Sequence, residues 1–105
     1  MHKRTKATSI SMEVKIAVWE RDKHRCIYCM RYVPYNFSNS HFIKRSQGGM
    51  GIEQNIVTAC PDCHRRYDNG YEYKAMYNYT KRYLEKFYGN LDIEKLKYNK
   101  WEELK

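Results

Sequence analysis

No apolar run in this chain approaches the roughly eighteen residues that a membrane span requires, and the basic start, Met1 to Lys6, is not followed by the apolar core of a signal peptide. A cytoplasmic protein with no membrane partner is therefore expected. Internal repeats and low-complexity blocks are missing too, which leaves no basis for a repeat architecture. Acidic residues are scarce: Asp plus Glu number 12 against 20 Lys plus Arg, for a formal net charge of +8. With 105 residues there is enough chain for one compact core and little left for a second.

The positive excess attracts polyanions. A field of this sign draws in phosphate backbones and releases their condensed counterions, so binding to nucleic acid should weaken steeply with salt. Charge alone is also compatible with a merely solubilising surface.

Local patterns divide the chain into three parts. Residues 1–10 are polar and basic without a periodic apolar face and read as a flexible arm. Order is expected from Ser11, which can cap a helix that carries Glu13 in its first turn and ends near Arg21 or Asp22. Ser40 to Ile43 and Asn55 to Ala59 read as two short strands joined by a flexible, glycine-containing basic loop, Lys44 to Gly51. A short helix is expected over Cys63 to Tyr67, stopped by the turn signal Asp68-Asn69-Gly70. A longer one should follow, with Tyr73, Met76, Tyr77, Leu84, Phe87 and Tyr88 on its apolar face and Gly89 at its end. Residues 90–105 read as a helical extension in which Ile93, Leu96 and Trp101 pack back on the domain formed by residues 11–89.

The four cysteines fall into two pairs, Cys26-x-x-Cys29 and Cys60-x-x-Cys63, about thirty residues apart, a spacing suited to presenting four thiolates tetrahedrally to one Zn²⁺. In a domain this small such a site supplies folding free energy that a modest core cannot. Two buried free pairs, or two disulfides in an oxidising compartment, are the competing readings.

Between the pairs lie Ser40-His41-Phe42-Ile43-Lys44-Arg45-Ser46-Gln47-Gly48-Gly49 and Asn55, and Cys60-Pro61-Asp62-Cys63-His64 closes the stretch. This segment resembles the HNH endonuclease family, the name matching His41, Asn55 and His64, and the similarity runs from Arg21-Asp22 to Asp68-Asn69-Gly70. The Gly48 to Val57 stretch and the tail beyond Tyr83 are similar to small HNH proteins of bacteriophages and prophages. The resemblance implies an α+β fold: a small ββα-metal (His-Me finger, treble-clef-like) core stapled by the Cys₄ zinc site and flanked by an N-terminal helix and C-terminal helices. It also implies DNA as substrate, 5′-phosphate and 3′-hydroxyl products, and a second, catalytic divalent ion.

Each residue type suits a task in phosphodiester hydrolysis. His41 is assigned as general base, because a neutral imidazole accepts a proton near physiological pH. His64 is assigned as ligand of the catalytic ion, expected to be Mg²⁺ or Mn²⁺, with Ni²⁺ able to substitute in vitro. Asn55 either fixes the loop that orients His41 or ligates the ion through its amide oxygen; orientation is favoured, since neutral amides are weak ligands. Many family members carry Asp or His immediately before the base, where this chain has Ser40, whose hydroxyl can at best hold a metal-bound water. Lys44, Arg45, Arg65 and Arg66 are assigned to DNA phosphates, with a solvated basic face as the alternative for each. Core packing is the preferred reading of the tyrosines, with base stacking the alternative.

The expected activity is metal-dependent DNA cleavage, nicking rather than double-strand cutting, by a monomer or weak dimer. A phage DNA-packaging machine and its terminase are candidate partners, and the host cytoplasm is the site if the protein is phage-encoded. The alternative is a catalytically degenerate, zinc-bound DNA-binding or accessory protein-interaction module.

Overall fold

The computed structural model describes residues 3–36 and 39–98. Six elements position the rest: helix α1 (Lys3–Thr8), helix α2 (Met12–Arg21), strand β1 (Asn39–His41), strand β2 (Ile56–Thr58), helix α3 (Pro61–Asn69) and helix α4 (Tyr73–Tyr88). Short 3₁₀ turns at Arg45–Gln47, Glu53–Asn55 and Ile93–Leu96 join them. The fold is the expected small α+β arrangement: a two-stranded hairpin followed by a helix, flanked by helices on both sides. No helix among the described residues is long and apolar enough to cross a membrane.

The helix starts follow from local chemistry. The Ser11 hydroxyl accepts the Val14 N–H at 3.2 Å, which satisfies one of the donors that the first turn of α2 leaves unpaired. In α3 the cap is Cys60, whose Sγ accepts the Cys63 N–H at 3.4 Å, and Pro61 occupies the first helical position, where no N–H is needed. Residues 1–10, read from sequence as an arm without regular structure, include α1. Its sequence shows no amphipathic period because it is held by its C-terminal end: Ala7 O accepts the Gly51 N–H, and Thr8 is buried.

β1 and β2 pair antiparallel, with Asn39 opposite Thr58, Ser40 opposite Val57 and His41 opposite Ile56. Successive strand residues face opposite sides. Ser40 accordingly points inward at 1% exposure, while His41 is only partly buried. All three residues of β2 are buried, and its neighbours form two apolar clusters. One surrounds the cysteines with Val33, Ala59, Tyr67 and Met76. The other joins Ile27, Phe42, Ile43 and Val57 to Leu84 and Leu96. Leu96 of the tail lies in this second cluster, and Trp101 lies outside the described residues.

Tyr79 and Tyr83 of α4, and Tyr28 of the first knuckle, tie elements together through their hydroxyls. Tyr79 donates to Ile27 O at 2.6 Å, Tyr83 to Asp22 Oδ1 at 2.7 Å, and Tyr28 shares a 2.6 Å hydrogen bond with Thr80. Asp22 is also reached by Arg21 and by the Thr58 N–H at 2.8 Å, and Arg21 continues to Glu53 O, Ile56 O and the Tyr88 hydroxyl. This buried pair locks α2, β2 and α4 together. Removing one partner strands the other charge away from water. Asp22→Ala should therefore lower unfolding stability by about 3–5 kcal/mol, read as a drop in the urea midpoint at unchanged slope.

Candidate metal centre and catalytic cleft

The two cysteine pairs meet. The four Sγ atoms lie within 4.8 Å of one another, and Cys29 Sγ stands 3.7 Å from Cys60 Sγ. Four sulfurs each about 2.3 Å from one zinc ion sit about 3.8 Å apart, so this donor set fits a tetrahedral Zn²⁺. Cys26, Cys60 and Cys63 are buried and Cys29 is exposed. The first knuckle turns tightly: Met30 N–H donates to Cys26 O at 2.9 Å and Cys26 N–H to Arg31 O at 2.8 Å, with Met30 in the left-handed region at φ 66. The Ile27 N–H donates to Thr58 O at 3.0 Å, which ties the knuckle to β2. Burial pushes the Cys26 and Cys63 thiols up, whereas at Cys29 the upward push of burial is outweighed by hydrogen bonds from the Arg31 N–H and the neighbouring thiols. A bound cation reverses this logic, because a coordinating thiol is deprotonated outright.

On the other face of the hairpin, His41 and His64 line one open cleft of about 350 Å³. His41 arrives at the end of β1 and His64 in the first turns of α3, one residue after Cys63, so the tetrathiolate cluster sets where α3 begins and where His64 falls. Burial chiefly lowers the His41 pKa below its ordinary value of 6.5; nearby Arg45 and His64 act the same way, while the Thr8 carbonyl and Asp68 oppose them. Asn55 does not enter the cleft. It is fully buried, its Oδ1 accepting the Ile43 N–H at 2.7 Å and its Nδ2 donating to Ile43 O and Met50 O.

This brace corrects the reading of Lys44 to Gly51 as a flexible loop. Its backbone is closed by Gln47 N–H to Lys44 O and Gly49 N–H to Lys44 O, and anchored to the tail by Met50 N–H to Leu96 O and Tyr98 N–H to Gly48 O. Gly49 is needed for close approach rather than looseness: a Cβ there would stand 1.7 Å from Ile43 O.

The remaining assigned residues separate. Lys44 and Arg45 line the cleft, Lys44 also donating to Asp68 O at 3.1 Å and lying 4.6 Å from the Tyr73 ring centre. Arg65 and Arg66 do not; they pair on the surface with Asp62 and Glu72 respectively. Ser40, named as at best the holder of a metal-bound water, is buried in β1 and does not line the cleft. Sequence reasoning passed over Asp68, which it took for a turn residue. The helix runs through Asn69 instead, placing Asp68 one turn after His64 with its Oδ2 3.4 Å from His64 Nε2. The i, i+4 spacing of His64 and Asp68 was the signal available.

Comparison with known proteins bears on this constellation. Residues 26–70 match the family model described as HNH endonuclease. The chain is similar to HNH endonucleases over this segment, less than half of its length. The segment contains both knuckles, His41, Asn55, His64 and Asp68. The chain is also 35% identical over 49 residues to the protein named Anaredoxin of Nostoc sp., a match covering 47% of this chain and 63% of that protein. The chain thus spans less than two thirds of the length of the curated relative it matches. No solved structure matches it.

Zinc occupancy of the cysteine cluster is directly measurable. Native mass spectrometry should find one zinc ion per chain, and a strong chelator should abolish the cooperative thermal transition, as should Cys60→Ser. A chelated protein that keeps its helical circular dichroism and its melting point would contradict a structural role for the cluster.

Proposed function

We propose that this chain is a metal-dependent DNA endonuclease that nicks one strand at a time. The observation that carries the reading is the meeting of His41 and His64 in one solvent-open cleft beside Lys44 and Arg45. His41, held neutral, takes a proton from the attacking water. The water oxygen bonds to phosphorus, the P–O3′ bond breaks, and the leaving oxygen takes a proton from solvent water, giving a 3′-hydroxyl opposite a 5′-phosphate. Lys44 and Arg45 hold the flanking phosphates, as fixed cations beside a phosphodiester do. Asn55 keeps the loop rigid, so that neither cation nor base must be ordered when DNA arrives.

His64 and Asp68 are the residues that would hold a catalytic Mg²⁺ or Mn²⁺. Their donor atoms, His64 Nε2 and Asp68 Oδ2, stand 3.4 Å apart, close enough to serve one ion. When bound there, such an ion would supply Lewis-acid stabilisation of the charge that develops on oxygen. Asp68 thereby provides the acidic ligand that position 40 does not. One histidine-lined cleft among the described residues suits nicking by a monomer or weak dimer in the cytoplasm. Terminase or other phage packaging proteins enter as partners through the resemblance to phage proteins.

The buried Ser40 favours a second reading, in which the HNH centre has lost its metal and the zinc-stapled domain binds DNA or a protein without cutting. Supercoiled plasmid separates the two. With Mg²⁺, Mn²⁺ or Ni²⁺ the wild type should convert it to the open circular form, and His41→Ala should be slower by about 10²–10⁴-fold; an inert wild type supports the binding module. Asp68→Ala should raise the Mn²⁺ concentration needed for half-maximal cleavage by about 10–100-fold.

The pH profile follows from the depressed His41 pKa. Because the ring stays unprotonated to below its ordinary 6.5, kcat/KM should hold as pH falls past 6.5 and decline only when the lowered pKa is crossed. An acid limb centred above 6.5 would contradict the assignment.

A further inference from the structure

The end of α1 touches the proposed base directly. His41 Nε2 lies 2.9 Å from the carbonyl oxygen of Thr8. A carbonyl oxygen only accepts, so Nε2 carries the ring proton and the free electron pair of the neutral imidazole is on Nδ1. Three further contacts seat the same segment. Gly51 N–H donates to Ala7 O at 3.1 Å, Arg45 Nε donates to Thr8 Oγ1 at 3.1 Å, and Arg45 Nη2 donates to Ser9 Oγ at 3.0 Å. Thr8 is 2% exposed. The seat is tight enough that a Cβ on Gly51 would stand 2.1 Å from Ser9 O. With the segment in place the cleft still measures about 350 Å³ and His41 still lines it, so α1 buttresses the histidine rather than filling the site.

We propose that the Thr8 carbonyl is the positioning group for His41, fixing the Nε2–H tautomer and the ring orientation so that Nδ1 takes the proton from the attacking water. The inference rests on the reading of His41 as general base. Its physical basis is general: the hydrogen bond made by one imidazole nitrogen decides which nitrogen is left for chemistry. The other charged groups facing His41 are Arg45 on the loop and His64 and Asp68 on α3, with Lys44 in the same cleft. Their long-range fields alter proton affinity but select neither tautomer. The N-terminal segment, outside the matched residues 26–70, is by this inference part of the catalytic centre.

The test uses the full chain, zinc-loaded, and reads the tautomer without turnover. Nitrogen-15 shifts of the His41 ring at about pH 8, where imidazole is neutral, should report the Nε2–H form in the wild type. Two variants displace the segment by different means: Gly51→Ala pushes Ser9 away, and Ala7→Pro breaks the last turn of α1. Each should give a mixture of tautomers and a kcat lower by about 10–100-fold, with zinc content and circular dichroism retained. An Nδ1–H ring in the wild type overturns the inference whatever the activity. So does an unchanged tautomer and kcat in both variants, or a rise in cleavage rate, which would make α1 a cover. A wild type that is inert yet shows the Nε2–H form would sink the base assignment while leaving the hydrogen-bond inference standing.

Discussion

Everything else in the molecule is arranged around the convergence of four sulfur atoms from two loops far apart in sequence. A domain with three-residue strands has little ladder hydrogen bonding to set register, and each strand here has three residues. The cysteine cluster fixes the geometry instead. Cys60 is at once a member of the cluster and the cap of α3, so the position of the sulfurs determines the start and direction of that helix. His64 and Asp68 then fall one turn apart on a helix whose origin is clamped. Preorganisation of this kind matters for hydrolysis, since groups already in place need no ordering when the phosphate enters.

The opposite wall of the cleft is built by different means. β1 delivers His41, and its register against β2 is held by burial on one side and by the Asn55 brace on the other. Two backbone carbonyls and one backbone N–H bind the Asn55 amide, which satisfies polar groups that would otherwise be stranded in the interior. Asp22 does the same for β2 from behind, accepting the Thr58 N–H. The two sides of the cleft are thus supported by separate devices, a sulfur cluster and a buried polar network, both tied to β2 at Thr58.

What sequence showed and what it hid divide along physical lines. Ser11 as a cap, both knuckles, and the order His41, Asn55, His64 were readable because each depends on local spacing or on one residue type with one task. The stop of α3 was misplaced because Asp68-Asn69-Gly70 is a turn signal in isolation, and continuation of the helix to Asn69 places Asp68 in the cleft instead. Ser40 was assigned by analogy of position, yet alternation along a strand puts neighbours on opposite faces, and the buried face took Ser40. Arg65 and Arg66 were legible as charges but not as the partners of Asp62 and Glu72. The seat of α1 was invisible, because it consists of backbone groups and a glycine contact, neither of which leaves a hydrophobic period.

The central claim is that His41 and His64 face a single divalent ion bound in one cleft of a zinc-loaded domain. Paramagnetic broadening by substoichiometric Mn²⁺ tests it most directly: the ring signals of His41 and His64 should both broaden, while that of His24, stacked on Trp19 away from the cleft, stays sharp. Broadening of one cleft histidine without the other, or equal broadening of all three, would contradict the account.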